Sequence, residues 1–203
     1  MALEIEIKLQ IPVQDLERFA DALPTMIREK QVFNEYFDTA ANELQTRRNM
    51  VRLRVLGEKE RHILCFKGKA QRQDGVFSAE EHEWDLSLEE AELFRRDPGQ
   101  QKKRLEPHLP SVAIEQLQSL GGMHVTRRVY PFTSDTKLEL DHVRYPDGFE
   151  DAEIEIEVTK EQVTTIRTLL STVLIETKVE AREQLETKFA RFLAHRSPEE
   201  SDL

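Results

Sequence analysis

Glu4-Ile5-Glu6-Ile7-Lys8, near the start of this 203-residue sequence, alternates charged and apolar side chains at every position. Successive side chains of a β-strand point to opposite faces, so the charged residues share one face and the isoleucines share the other. The same alternation recurs between turn residues and predicts antiparallel strands. The predicted strands cover residues 3–10, 32–38, 50–56, 62–69, 76–86, 125–132, 137–144 and 153–159.

Apolar residues at helical spacing separate several of these strands. Ser87 followed by Glu90 matches a capping box, the pattern of a helix start, and Gly121-Gly122 is typical of a helix end. Residues 97–110 are the one candidate linker, but helices flank them and a strand follows, which favours an insertion within a domain. The predicted helices cover residues 12–23, 87–96, 111–120, 160–173 and 181–194.

The composition limits the class of protein. A chain of this length with 38% hydrophobic residues can form one domain with a real core. We expect that domain to cover residues 1–196, followed by a polar tail at 197–203. The net charge of -10 argues against general binding to nucleic acid or to anionic membranes.

The sequence also favours a cytoplasmic location. No apolar run approaches the roughly 20 residues that span a bilayer, and the N-terminus lacks the basic and apolar segments of a secretion signal. Cys65 is the only cysteine, which excludes an intramolecular disulfide and fits a reducing compartment.

Other conspicuous side chains have ordinary structural interpretations. The six histidines lack metal-ligand spacing with one another, which favours surface or strand roles. Trp84, the only tryptophan, is predicted to pack beneath a helix. Cys65 shares a strand face with Lys67 but has no base nearby in sequence, so we interpret it as structural.

Like charges line up on single faces of several strands, although neighbouring like charges cost energy. A solvated face of an ordinary sheet explains any one such row. Together the rows favour a closed sheet with its charged faces inside, because acidic and basic strands are segregated. The acidic rows are Glu81, Glu83 and Asp85, then Glu139 and Asp141, then Glu153, Glu155 and Glu157, and the basic rows are Arg52 with Arg54 and Lys67 with Lys69.

A lumen lined by both signs of charge requires water, ions and a charged ligand, since buried unpaired charges are costly. Carboxylate clusters favour hard divalent cations such as Mg²⁺ or Mn²⁺. Arginine and lysine favour phosphate oxygens. Together the two sets of residues indicate a site for a polyphosphate and a metal ion.

The opening strand resembles the Glu-x-Glu-x-Lys hallmark of the CYTH, or triphosphate tunnel metalloenzyme, superfamily. The similarity extends over nearly the whole chain and is greatest to stand-alone inorganic tripolyphosphatases. The further matching segments are Tyr36-Phe37-Asp38-Thr39, Leu44, Arg47-Arg48, Arg52-Leu53-Arg54, Phe66-Lys67-Gly68-Lys69, Leu120-Gly121-Gly122, Arg127 to Tyr130, Leu138 to Asp141, Glu153 to Glu157 and Thr187-Lys188-Phe189.

This resemblance implies an α+β fold, in which a closed eight-stranded antiparallel β-barrel forms a tunnel with helices packed outside. The residues that would contact phosphate are Lys8, Arg52, Arg54, Lys67, Arg127 and Lys188. The principal metal ligands would be Glu4, Glu6, Glu155 and Glu157, and the supporting carboxylates would be Glu81, Glu83, Glu139 and Asp141. The catalytic roles would fall to Glu4, Glu6, Lys8 and Lys67.

Some positions depart from the family pattern or leave their register open. Ser78 stands near a position where the family often has an arginine. The phosphate contact of that arginine is therefore in question for this chain. The register of the acidic residues within 80–85 is open. Glu153 and Lys69 could lie near a tunnel mouth.

The resemblance predicts a metal-dependent hydrolase that cleaves inorganic tripolyphosphate to pyrophosphate and phosphate, with Mg²⁺ or Mn²⁺ as cofactor. One alternative is an organic triphosphate enzyme of the same superfamily, either a class IV adenylate cyclase or a thiamine triphosphatase. Another is a noncatalytic polyphosphate-binding module, which would predict loss of the metal ligands. The expected partner is a triphosphate, without nucleic acid or membrane, and the chain would be a monomer or a homodimer.

Overall fold

A single antiparallel sheet organises the chain. The computed structural model describes residues 2–57, 61–69, 71–73 and 76–196, with the backbone alone for residues 2–4 and 72–73. The predicted tail at 197–203 lies outside the described residues. The described part contains ten strands: β1 (Ala2–Ile11), β2 (Arg28–Thr39), β3 (Met50–Leu56), β4 (Arg61–Lys67), β5 (Gln71–Gln73), β6 (Val76–Leu86), β7 (Leu117–Pro131), β8 (Lys137–Arg144), β9 (Glu150–Glu157) and β10 (Arg182–Glu183).

The first strand closes the sheet into a barrel. The strand order is β10-β1-β9-β8-β7-β2-β3-β4-β6-β5, and an additional pairing joins β1 to β6. Residues 2–7 pair with residues 76–81 of β6, and residues 6–11 pair with residues 152–157 of β9. Eight of the described strands therefore form a closed antiparallel barrel, as predicted, and the short β5 and β10 pair beside β6 and β1.

Short helices connect the strands. Ser87 caps α3 through a capping box, since its Oγ accepts from the Glu90 backbone N–H and its own N–H donates to the Glu90 carboxylate. None of the helices in the described part reaches the length and apolarity that crossing a bilayer requires. The α-helices are α1 (Leu16–Ala20), α2 (Glu43–Arg47), α3 (Leu88–Arg96), α4 (Lys102–Leu105), α5 (Val163–Thr177) and α6 (Lys188–His195), with 3-10 turns at Val13–Asp15, Pro98–Gln101 and Ile114–Gln116.

The apolar faces of the strands point outward and are covered by these helices. Ile7 and Ile154 are buried in one cluster with residues of α1 and α5. Leu64 is buried in a second cluster beneath α3 and α4, and Trp84 packs against it as predicted. Burial of such side chains is the main force that closes the barrel. The isoleucines of the opening strand therefore face the helices, and Glu6 and Lys8 face the lumen.

A third apolar cluster lies on the inner side, where α6 covers part of the barrel. Phe192 is fully buried, and its ring centroid lies 4.8 Å from that of Tyr36 on β2. The ring centroid of Phe189 lies 5.0 Å from that of the same tyrosine. Met123 and Val143 complete the contact from β7 and β8. These contacts fix α6 against the inner faces of the strands.

Two helix predictions are wrong. Residues 111–120 contain one 3-10 turn, and β7 begins at Leu117 and runs through Gly121-Gly122. Gly122 is required there by close packing, because a Cβ would lie 2.5 Å from the Asn34 carbonyl oxygen and 2.6 Å from the Phe33 ring. Residues 182–183 form β10 rather than the start of a helix, and α6 begins only after its cap at Thr187.

Candidate functional site

The charged side chains in the lumen divide it into two halves. In the closed strand order β8, β9, β1 and β6 are consecutive, and so are β7, β2, β3 and β4. The first four strands form the acidic half, which also carries the cation Lys8 on β1 and whose carboxylates include Glu139, Asp141, Glu153, Glu155, Glu157, Glu6, Glu81 and Glu83. The other four form the basic half, whose cations are Arg127, Lys30, Arg52, Arg54 and Lys67.

Glu155 lies at the centre of the acidic half and contacts three cations. Its carboxylate accepts hydrogen bonds from Lys8 and, over 2.7 Å, from Arg127, and the Lys188 Nζ lies 2.9 Å away. Burial alone would raise the pKa of Glu155, but Lys188, Lys8 and Arg127 hold that pKa well below its ordinary value. The carboxylate is therefore kept ionised inside the barrel.

Arg127 joins the basic half to the acidic half. Its Nε and one terminal nitrogen donate to the two oxygens of Asp141 over 2.7 and 2.6 Å, and it also forms an ion pair with Glu139. Burial opposes its charge, yet Asp141, Glu139 and Glu155 raise the pKa of Arg127 well above its ordinary value. The same planar fork of donors that holds a carboxylate can hold a phosphate.

Lys67 spans the seam between β4, β6 and β1. Its Nζ lies 3.4 Å from a Glu81 oxygen and 3.9 Å from a Glu6 oxygen. The Lys8 Nζ lies 2.7 Å from Glu6. Burial would raise the pKa of Glu6, but Lys8 and Lys67 lower it overall. The two lysines predicted to be catalytic therefore meet at one carboxylate, although their strands are far apart in sequence.

Arg52 has unused hydrogen-bonding capacity. It is 7% exposed, and one terminal nitrogen lies 3.4 Å from the Cys65 sulfur and 3.5 Å from Glu81. Its Nε finds no hydrogen-bond acceptor among the described residues, and the Asn34 side-chain oxygen finds no donor among them. Buried polar groups normally have partners. Such groups on a lumen wall fit a polar ligand.

Lys30 is a lumen cation that sequence reasoning missed. The pKa of Lys30 is lowered by burial and by its neighbours Arg28, Arg127 and Arg54. The pKa of Arg54 is also lowered, mainly by burial and nearby cations, although Arg54 donates to Glu83 over 3.0 Å. Positive charge is thus crowded at this part of the basic half. Lys30 stands at even spacing from Asn34 and Tyr36, and this spacing could have placed it on the same face of the strand.

The predicted site residues differ in how far their side chains are buried. Glu4 belongs to β1, opposite Ala79 of β6, but its side chain lies outside the described part. Glu157 is exposed, whereas Glu153 is fully buried and contacts Lys188 at 2.7 Å. Glu153 is therefore covered by α6, and its expected position near a tunnel mouth stays a prediction. Lys69 is exposed beyond the end of β4.

Arg191 was also missed, although it stands three residues after Lys188 on the same face of α6. It forms an ion pair with Glu153, and its Nε lies 2.9 Å from Asp151 and donates to the Tyr145 hydroxyl over 3.0 Å. The spacing of the two cations on one helix face was a usable signal. These contacts hold α6 across the acidic half.

Cys65 carries a protonated thiol. It is fully buried, and its Sγ donates to Glu81 over 2.9 Å. Burial raises the pKa of the Cys65 thiol to about 12. A thiol with that pKa is a poor nucleophile at neutral pH. The structural interpretation of this residue agrees with its surroundings.

Comparisons with known proteins agree with this architecture. The family profile named CYTH domain matches residues 2–198. This chain belongs to the CYTH family. No curated protein matches the sequence.

Several solved structures share the CYTH tunnel fold of this chain. HpAC1 from Hippeastrum superposes with a TM-score of 0.85 at 27% identity, covering 96% of this chain and 97% of that one, and a dominant triphosphatase activity is described for it. The bh2851 protein of Bacillus halodurans gives 0.70 at 25% identity, covering 95% and 99%. PH1819 of Pyrococcus horikoshii OT3, at 16% identity, gives 0.63 over 94% and 99% and supports the fold alone.

Proposed function

We propose that this CYTH protein is a metal-dependent hydrolase of inorganic tripolyphosphate that releases phosphate and pyrophosphate. The observation that carries the proposal is the division of the lumen into an acidic and a basic half. A triphosphate is a row of anionic groups that needs cationic donors on one side and metal ions on the other. HpAC1, which is 27% identical to this chain, has a dominant triphosphatase activity, and this supports the reaction class.

The acidic half has the donors that Mg²⁺ or Mn²⁺ requires. Its side chains offer carboxylate oxygens, the ligands that hard divalent cations prefer, and Glu155 attracts three cationic side chains. When bound, such an ion neutralises phosphate charge and lowers the pKa of a coordinated water. The proposed ligands are Glu4, Glu6, Glu155 and Glu157, supported by Glu81, Glu83, Glu139 and Asp141.

The protein's own residues position the substrate. Arg52, Arg54 and Arg127 would donate hydrogen bonds to phosphate oxygens, and Lys188 would approach from α6. The oxygen of a water molecule would form a bond to the terminal phosphorus and give up a proton to the surrounding water. The bond between that phosphorus and the bridging oxygen would break, and its electron pair would stay on the oxygen of pyrophosphate. Lys8 and Lys67, which meet at Glu6, would stabilise the negative charge on the leaving oxygen. Phosphoryl transfer needs mainly such positioning and charge stabilisation, so no covalent nucleophile is required.

A substrate panel tests the proposal. Tripolyphosphate, ATP, thiamine triphosphate and long-chain polyphosphate are each supplied with Mg²⁺ or Mn²⁺, and phosphate and cyclic AMP are measured. We expect phosphate release to be fastest from tripolyphosphate and to stop with EDTA. Cyclic AMP formation from ATP would instead assign the chain to the cyclase reaction, and binding of tripolyphosphate without any turnover would make it a binding module.

A further inference from the structure

A second group of potential metal ligands lies on the outside of the barrel. Glu80 and His82 are on the outer face of β6, because their neighbours Glu81 and Glu83 face the lumen. His108 lies in the segment after α4 and reaches the same face. The segment is held against the barrel by Leu105 on α4, which is fully buried. The insertion between α3 and β7 thus brings a distant histidine over β6.

The three side chains converge on a small volume. The Nε2 atom of His82 lies 2.7 Å from Oε1 of Glu80, and Nδ1 of His108 lies 3.6 Å from the same oxygen. The ligand atoms of all three residues lie within 4.8 Å of one another. Ligands at about 2.0–2.1 Å from a tetrahedral Zn²⁺ are about 3.3 Å apart. Small side-chain adjustments would therefore place all three around one ion.

Aromatic side chains hold both imidazoles in place. The His108 ring is stacked on Phe66 with centroids 5.2 Å apart, and the His82 ring is stacked with Trp84 at 6.0 Å. The two imidazole centroids are 3.9 Å apart. Rotation of either ring is thus restricted, which lowers the entropic cost of binding an ion. The side chains of His82 and His108 remain 25% and 20% exposed, so water can reach the fourth position.

Glu80 is suited to the same role. Its Oε1 atom lies within hydrogen-bond distance of the His82 Nε2 atom, and that nitrogen gives up its proton when it binds a metal ion. A carboxylate is ionised at neutral pH, as a metal ligand must be. Its orientation is set by both histidines.

We propose that Glu80, His82 and His108 form a binding site for a transition metal ion such as Zn²⁺, separate from the carboxylates of the lumen. Two imidazoles and one carboxylate form a set of ligands that binds Zn²⁺ in preference to Mg²⁺, because Mg²⁺ favours oxygen ligands. The ion would tie the segment after α4 to β6. It would stabilise the wall of the barrel from the outside.

The experiment uses the full chain, stripped with EDTA and held in excess Mg²⁺ to occupy the oxygen ligands of the lumen. Co²⁺ is the probe, because a tetrahedral site with nitrogen ligands absorbs visible light much more strongly than octahedral oxygen coordination. We expect one equivalent of Co²⁺ to give this absorption and Zn²⁺ to abolish it by displacement. Zn²⁺ should also raise the Tm of the protein.

Variants locate the site. His82→Ala and His108→Ala should each weaken Co²⁺ binding at least tenfold and remove the Tm shift. The matched control is His142→Ala, since His142 also pairs with a glutamate, Glu150 at 2.9 Å, on an outer strand face. It should bind Co²⁺ as the wild type does. The proposal is overturned if the wild type gives no tetrahedral spectrum, or if the double histidine variant binds as tightly as the wild type.

Discussion

Lys8 on β1 and Glu155 on β9 lie directly opposite each other in the antiparallel register, and the lysine donates a hydrogen bond to the carboxylate inside the lumen. The two strands are joined along six consecutive residue pairs, from Glu6 with Glu157 to Ile11 with Ala152. The backbone ladder therefore sets the distance between a phosphate-binding candidate and a metal-binding candidate. Their geometry does not depend on a loop.

Glu155→Gln should lower the free energy of unfolding by about 3 kcal/mol, since it leaves Lys8, Arg127 and Lys188 short of a buried negative partner. Chemical denaturation in EDTA measures this loss. Glu157→Gln on the same strand is the control, because Glu157 is exposed and should change stability by less than about 0.5 kcal/mol. Equal losses in the two variants would contradict the central position of Glu155.

Glu4→Gln and Glu6→Gln should each abolish turnover of tripolyphosphate while leaving the fold intact. Glutamine keeps the size of the side chain but removes the charge that a divalent cation requires. Phosphate release measures the activity, and circular dichroism checks the fold. Full activity in both variants would show that the metal ligands have been assigned wrongly.

Arg52→Ala should raise the KM for tripolyphosphate by roughly 10- to 100-fold with a smaller effect on kcat. A hydrogen bond to a charged group contributes about 1.5–3 kcal/mol, and the Arg52 Nε is available to make one. Steady-state kinetics separates the two constants. Arg128→Ala is a suitable control, because Arg128 lies on the outer face and pairs with Glu17 and Glu29. A fall in kcat alone would point away from substrate binding.

Stability should decline in alkali because of Cys65. Its pKa is about 12 in the folded protein and near 9 when unfolded, so the folded state keeps a proton that the unfolded chain loses between pH 9 and 12. The stabilisation that the protonated thiol gives the folded state is fully present below pH 9, and the free energy of unfolding should fall by about 1 kcal/mol by pH 10. Denaturation curves at pH 8 and pH 10 measure this change. Cys65→Ser, which cannot titrate there, should show a smaller decline, and an identical decline would exclude Cys65 as the cause.

Alternation predicted the strands well wherever one face was apolar and the other charged. The bounds of β3, β6 and β8 agree with the predicted 50–56, 76–86 and 137–144. The pattern also predicted which side chains face the lumen. Side chains alternate along a strand, so once the apolar face packs beneath the helices the charged face must point inward. The closure of the sheet into a barrel was favoured by the segregated rows of charge and was also implied by the resemblance to the CYTH family.

Other features depended on contacts between distant residues. Ile114, Leu117 and Leu120 are spaced as on a helix, but β7 extends back to Leu117 because β2 offers a partner there and Gly122 permits the close approach of Phe33. Alternation could not separate buried Glu153 from exposed Glu157, since both face inward. Their depth is set by α6, whose Lys188 reaches Glu153.

The position of β1 between β6 and β9 has a consequence for how the protein folds. β1 needs partners from residues 76–81 and 152–157, so its two edges cannot both be paired until residue 157 has been synthesised. Contacts so distant in sequence slow folding. Until then, a strand with isoleucines along one side has exposed edges that can pair with another chain. Folding yield should therefore depend on protection of β1 during synthesis.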